Sequence, residues 1–341
     1  MKILLDAFGG DNSPLEVIKG AVKYVEEGGT SEICLVGKQE VIETLIKENN
    51  FSKKQLSIMN ADEVITCEES PTEAFRKKPN SSICVALDAM KTGEYGGFVS
   101  AGSTGAVLTA GIFKTGRVKG VSRPALGTLM PTVKGGSVLF LDCGANADSK
   151  PINLVHFAVM ANVYAKNVMG IENPRIGLLS NGAEDQKGSE LIRSVNSALR
   201  SLKSLNFIGN IEGRDIMSGV CDIVVTDGFS GNIALKSIEG AANTILGILK
   251  GNIKKSIMAV IGYKFFMKKA FKNTMKIMDY KNREGAVLLG VNGVIVKAHG
   301  SSKASAFVHA IRQAEKAAET DINGEIAIRL QDSEIKELTF E

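Results

Sequence analysis

Short apolar runs and amphipathic helical patterns alternate along almost the whole chain. The runs at 2–5, 33–36, 97–100, 137–141, 175–179, 205–209, 222–226, 287–289 and 294–297 are too short for helices and read as buried strands. Between them, apolar residues recur at helical spacing over 14–27, 39–48, 82–90, 105–113, 153–168, 188–202, 232–249 and 303–318. This alternation predicts an α/β fold, a mostly parallel sheet covered on both faces by helices in a three-layer αβα sandwich. There is no repeat, low-complexity tract or long linker. The Gly/Pro/Lys-rich stretch 115–136 is the best candidate boundary, but 1–341 reads as one continuous unit.

One insertion breaks the pattern. Over 250–281 nine lysines stand against a single acid, Asp279. At about 100° per residue, Lys264, Lys268, Lys272 and Lys276 form one stripe, with Phe266, Met267, Phe271, Met275 and Met278 on the opposite arc. A basic amphipathic helix of this kind reads as membrane-surface or partner-binding, because a merely solvated face mixes both signs of charge. The alternative is an ordinary helix packing its apolar arc on the core.

Polar residues gather after successive strands, where ligands bind in open α/β sheets. After the first strand, Asp6 and Asp11 flank Gly9 and Gly10, which let backbone approach a ligand; Asp11, Asn12 or Ser13 equally serve as helix caps. Ser100, Gly102, Ser103, Thr104 and Gly105 form a Gly-rich turn into a helix, and Thr226-Asp227-Gly228 followed by Ser230, Gly231 and Asn232 repeats the design. Helix amino termini there suit a phosphate. Asp142, Asn146 and Asp148 follow another strand, and Asn181 leads to Glu184, Asp185 and Lys187 after the next. The whole set describes the rim of one cleft. Of three histidines, His156 reads as structural and His309 as a surface or core-edge residue; His299 lies between a strand and the last long helix, facing a ligand or capping with Ser301.

Composition narrows the classes. Hydrophobic residues make up 44% and charged residues 23%, a soluble globular balance, and the net charge of +4 is mild. Five scattered cysteines without a CxxC pair, two of them in or beside apolar strands, point to a reducing cytoplasm and away from structural zinc. No apolar run reaches the roughly 20 residues a bilayer span requires, and the first strand leaves no room for a signal peptide. A Walker loop, a dinucleotide fingerprint, a G-x-S-x-G elbow and metal-ligand spacing are all missing. The expected chemistry therefore needs anion binding and hydrogen-bond donors, with no metal and no cofactor.

Asp6-Ala-Phe-Gly-Gly-Asp11, Ser100-Ala-Gly-Ser-Thr-Gly-Ala106, Asp142-Cys-Gly-Ala-Asn-Ala-Asp148, Thr226-Asp-Gly-Phe-Ser-Gly-Asn232 and Lys297-Ala-His-Gly-Ser-Ser302 together resemble the bacterial phosphate acyltransferases of phospholipid synthesis, over nearly the whole chain. Asp227-x-x-x-Gly231-Asn232-x-x-x-Lys236 is also similar to a phosphotransacetylase segment. The resemblance implies a fold related to phosphotransacetylases and the isocitrate-dehydrogenase-like group, a homodimer, and conversion of acyl-[acyl carrier protein] and inorganic phosphate into acyl phosphate. A membrane enzyme would pass the acyl group to glycerol 3-phosphate, placing the protein in the cytoplasm against the inner face of the membrane. Asp227, Asn232 and His299 are then the catalytic candidates. Asp6, Gly9, Gly10, Asp11, Ser100, Gly102, Ser103, Thr104, Gly105, Asn146, Asn181, Ser230, Gly231, Lys236 and Ser301 are the substrate candidates, Lys187 a contact for the carrier protein, and Lys264, Met267, Lys268, Phe271, Lys272 and Met275 the membrane contacts. Cys143 stands where relatives carry an aliphatic residue, which argues against an acyl-cysteine. Two other readings compete: a short-chain phosphotransacetylase using coenzyme A, and a non-catalytic scaffold binding membrane or nucleic acid. Scarce aromatics and no second basic stripe argue against nucleic acid.

Overall fold

The computed structural model describes residues 1–340 apart from Cys67, 272–273 and 275–284. Its strands are β1 (Lys2–Asp6), β2 (Glu32–Gly37), β3 (Leu56–Asn60), β4 (Gly97–Ser100), β5 (Ala125–Pro131), β6 (Ser137–Leu141), β7 (Ile176–Leu179), β8 (Phe207–Ile211), β9 (Ile223–Val225), β10 (Ala286–Leu289) and β11 (Val294–Lys297). Among the described residues they form one sheet in the order β3-β2-β1-β4-β11-β10-β5-β6-β9-β7-β8. Pairing is parallel except at β11/β10, β10/β5 and β5/β6.

Side-chain alternation along the strands makes the layers. Ile3, Leu5, Val99 and Val296 share a core with α1 (Leu15–Glu26), α2 (Gln39–Glu48) and a late helix, Ala304–Ala318. On the same face, Leu139, Leu141, Ile223 and Val225 pack beneath α6 (Pro151–Tyr164) and α7 (Glu190–Ser201). The opposite face carries Leu4, Phe98 and Ile295 beneath α4 (Ser82–Met90) and α5 (Thr104–Ala110), and Val138, Phe140 and Val224 against α8 (Gly228–Lys254). Helix α6 is buried continuously from Asn153 to Tyr164, each large apolar side chain contributing roughly 1.5–3 kcal/mol. The three-layer αβα architecture is as expected.

Three features differ from the sequence reading. First, the stretch 115–136, read from the sequence without a strand, contains β5, in the interior of the sheet. Pro124, Gly127 and Pro131 hide its strand character, and Gly127 packs closely on the next strand, where a Cβ would lie 2.7 Å from Leu141 Cδ1. The half-buried β3 also escaped the pattern, as did α3 (Pro71–Lys77) and the closing helices Ile322–Arg329 and Ser333–Lys336. Second, the three antiparallel junctions make β6, β7, β8 and β9 run opposite to β1, β4 and β11. The register nevertheless sets Val99, Val296, Val287, Gly127, Leu141 and Val225 in one row, so the carboxyl ends of β4, β11, β6 and β9 meet at one level and loops from both halves border one cleft.

Third, the basic arm is not one regular helix. Its start is the end of α8, which runs to Lys254; α9 (Ile257–Gly262) then passes into a π-turn, Tyr263–Met267. A π-turn closes with wider hydrogen bonds than an α-turn, so a wheel of about 100° per residue does not carry Lys264 onto the stripe of Lys268. Lys264, Lys268 and Met267 are exposed, while Phe271 is half-buried, with its ring edge-on to Tyr263 at 5.4 Å between centroids. Lys272 and Met275 lie outside the described residues. No helix among the described residues is long and apolar enough to cross a membrane.

Candidate active site

Helices α5 and α8 cover one face of the sheet but leave β10 and β5 open between them. The gap is a cleft of about 410 Å³. Leu126, Thr128 and Ala286 line it from the sheet, Thr104, Gly105 and Leu108 from α5, and Asn232, Leu235, Lys236 and Glu239 from α8. Cys143 and Gly144 border it after β6, and Lys297, His299 and Ser302 after β11.

The α5 side is held by a buried polar knot. Ser100 Oγ donates to Asp6 Oδ2 at 2.6 Å and accepts from the Gly102 N–H at 3.0 Å. Burial pushes the Asp6 carboxyl above its ordinary range, while hydrogen bonds from Ser100 and Ser82 oppose the shift. Gly9 presses onto the knot, since a Cβ there would sit 2.5 Å from Asp6 Oδ2 and 2.6 Å from the Gly102 nitrogen. Gly10, at φ +98°, brings the Asp11 N–H to the Gly300 carbonyl at 2.8 Å. Asp6, Gly9, Gly10, Asp11, Ser100 and Gly102 thus hold the turns before α5 and after β11; they do not line the cleft. No side chain caps α1, whose N-cap is Pro14, so the capping alternative for Asp11, Asn12 and Ser13 fails. Ser103 is the N-cap of α5 without a side-chain cap bond, and first-turn N–H groups of a helix have no carbonyl within it to bond.

The α8 side is built around Asp142. Its carboxylate is buried and accepts from the N–H groups of Leu126, Gly144, Ala145 and Asn146 at 2.8–3.1 Å. Asn146 is consumed in the same knot, its amide donating to Pro124 O at 2.8 Å and Asp142 Oδ2 at 2.9 Å, so it is a brace and presents nothing to a phosphate. Asp227 caps α8 by accepting the Ser230 N–H at 2.8 Å, and the Gly231 N–H goes to the Asp227 carbonyl at 2.9 Å. This corrects the expectation that the 230–232 turn offers open donors: the helix starts at Gly228, and its cap takes them. What α8 brings to the cleft is side chains, Asn232 and Lys236, the latter 3.1 Å from Glu239. Ser230 is exposed outside the lining, as is Ser301. Asn181 and Lys187 are exposed beyond β7, apart from the cleft.

Lys297 received no role from the sequence, yet it is only 9% exposed at the end of β11, where its ammonium donates to the carbonyls of Ala298 and Ala101. A Lys closing the apolar strand Val294-Ile-Val-Lys297 was the available signal. His299 accepts the Ser301 N–H on Nδ1 at 3.2 Å, which leaves the proton of the neutral ring on Nε2. Cys143 is 6% exposed, and burial holds its thiol well above the ordinary range, beside the Asp142 carboxylate, which pushes the same way. The cleft thus combines cations, hydrogen-bond donors and an imidazole with a thiol kept protonated. That is equipment for binding an anion beside an electrophile, without a sulfur nucleophile.

A family model described as fatty acid synthesis protein matches residues 1–325. A phosphate acyltransferase of Thermoanaerobacterium thermosaccharolyticum is 45% identical over 322 residues, covering 94% of this chain and 94% of the relative. One from Geobacillus thermodenitrificans is 42% identical, covering 97% and 99%. Among solved structures, a phosphotransacetylase from Streptococcus pyogenes superposes with a TM-score of 0.63 at 20% identity, covering 94% of each chain. A branched-chain phosphotransacylase from Enterococcus faecalis gives 0.60 at 14% identity, covering 93% and 99%. The fold is therefore that of the phosphotransacetylases, and the chain belongs to the phosphate acyltransferases, a family of transferase enzymes.

Proposed function

We propose that the protein forms acyl phosphate from acyl-[acyl carrier protein] and inorganic phosphate, by direct attack of phosphate on the thioester, as a step of phospholipid synthesis. The observation that carries this reading is the buried Lys297 ammonium beside Thr104, Asn232 and His299 in one cleft whose thiol is held protonated. Lys297 and Lys236 attract the phosphate, and the first turn of α5 with Thr104 supplies donors to phosphate or to the oxyanion. Asn232 and the Nε2 side of His299 serve the tetrahedral intermediate and the departing sulfur. A phosphate oxygen bonds to the carbonyl carbon, the oxyanion collapses, the C–S bond breaks and the carrier leaves as a thiol after taking a proton. Holding phosphate within about 3 Å of the carbonyl contributes much of the rate. Asp227 acts at one remove, by fixing the start of α8.

Two further parts of this reading have their own support. Lys187 sits exposed beyond β7 and would steer an acidic carrier protein, an effect on association that salt screens. Phe229, Ile233 and Ile248 stand exposed on α8, an apolar face suited to a homodimer. Phe265, Phe266 and Met267 are 73%, 84% and 59% exposed beside Lys264 and Lys268, which supports peripheral binding to anionic lipids on the cytoplasmic face of the membrane.

The fold neighbours favour a second reading, a short-chain phosphotransacetylase using coenzyme A. Phosphate-dependent thiol release from palmitoyl-[acyl carrier protein] and from acetyl-coenzyme A separates the two. Turnover of the carrier thioester alone supports the proposal; turnover of acetyl-coenzyme A alone overturns it.

A further inference from the structure

The cleft does not stop at α8. Beyond Thr128, Leu235 and Glu239, which both spaces share, a narrow slot continues between α8 and the β5–β6 hairpin, walled by Met130, Pro131, Met217, Ile238 and Ala242. Its free volume is only about 30 Å³, so a flexible chain would lie along it rather than be enclosed. At about 100° per residue, Leu235, Ile238, Ala242, Ile245 and Leu249 share one stripe of α8 roughly 80° wide. The stripe runs about 21 Å along the helix at 1.5 Å per residue, from the cleft toward the arm. Ile245 is 64% and Leu249 43% exposed, so the far half of this stripe lies open. Phe229 and Ile233, on the face suited to self-association, lie on the other side of the same helix.

We propose that this stripe and the slot beside it are the subsite for the acyl chain, with the thioester in the cleft and the methyl end toward α9. The inference rests on the function proposed above and deepens it. Past Glu239, at the junction with the cleft, the stripe is apolar through Ala242, Ile245 and Leu249; it begins where the carbonyl carbon must sit and runs toward the end of α8 that leads into α9. A saturated chain gains affinity with each methylene removed from water, so the subsite selects long chains over short ones.

Two measurements test it. Ala242→Phe fills the slot, so the ratio of kcat/KM for palmitoyl over butyryl carrier protein should fall at least tenfold; an unchanged ratio overturns the proposal. Independently of that variant's folding, wild-type enzyme is irradiated with carrier protein bearing a palmitoyl chain ended by a diazirine. Adducts on Met217 or on 238–249 are expected, and adducts confined elsewhere, including the Phe229–Ile233 face, refute the track. A wild type that makes no acyl phosphate from any thioester would defeat the proposed function, while the cross-link still reports where the chain lies.

Discussion

Gly231 and the carbonyl of Asp142 are in such close contact that a Cβ on residue 231 would lie 1.9 Å from that oxygen. The first turn of α8 is thereby pressed onto the loop after β6, which fixes where Asn232 and Lys236 enter the cleft. Gly→Ala inside a helix ordinarily stabilises by about 1 kcal/mol. Here the sign reverses: Gly231→Ala should destabilise by about 1–3 kcal/mol, because backbone must move. Turnover should drop at least ~100-fold as the side chains of α8 shift. Urea denaturation and steady-state kinetics check both, and Ser230→Ala, at an exposed position, should stay within about 0.5 kcal/mol of wild type.

Replacing Lys297 separates function from stability. A buried ammonium is costly to desolvate, so Lys297→Met should fold at least as stably as wild type, give or take ~1 kcal/mol. Its kcat/KM for phosphate should nonetheless fall by about 100-fold or more, as expected when a preorganised electrostatic contact is removed. Normal phosphate kinetics in the variant would remove Lys297 from the site.

The cysteines should be dispensable. Burial holds Cys143 well above its usual range and Cys221 up to about 12, so neither is a thiolate near neutral pH. Cys143→Ala should keep turnover within about tenfold, any loss tracing to packing. Mass spectrometry that traps an acyl-cysteine during turnover would replace direct attack with a covalent mechanism.

His156 predicts a specific response to acid. It lies on α6, accepts the Ser122 N–H on Nδ1 at 3.2 Å, and burial lowers its pKa to about 4. Below about pH 6.5 the unfolded chain protonates this ring while the folded one does not, so its contribution to stability declines as pH falls from 6.5 toward 4. The loss is bounded at about 3 kcal/mol. Asp6 and Asp142, whose folded carboxyls are raised by burial, act with the opposite sign, which makes a difference measurement necessary. His156→Gln should therefore show a shallower fall in unfolding free energy over that window than wild type. Parallel curves would contradict the assignment.

The sequence by itself determined the layers and the loops. Strand and helix periodicities depend on neighbours a few residues apart, so β1, β4, β6, β9 and their helices were legible, and so was the polar chemistry of the turns after them. What the sequence left undecided was direction and partnership across the sheet. That β5 lies inside it rests on its pairing with β10 and β6, strands distant in sequence from it or reversed beside it, which no local pattern records. The reversal of strand direction at β10, β5 and β6 is equally non-local, and it brings the carboxyl ends of β4, β11, β6 and β9 together at one cleft. Tertiary packing likewise sorted equivalent-looking polar residues. Asn146 and Ser100 are spent on buried hydrogen bonds, the cap of α8 takes the N–H groups of Ser230 and Gly231, and Lys297 faces the cleft. A polar side chain's partners are distant in sequence, so only the folded chain decides whether it holds the site together or meets the substrate.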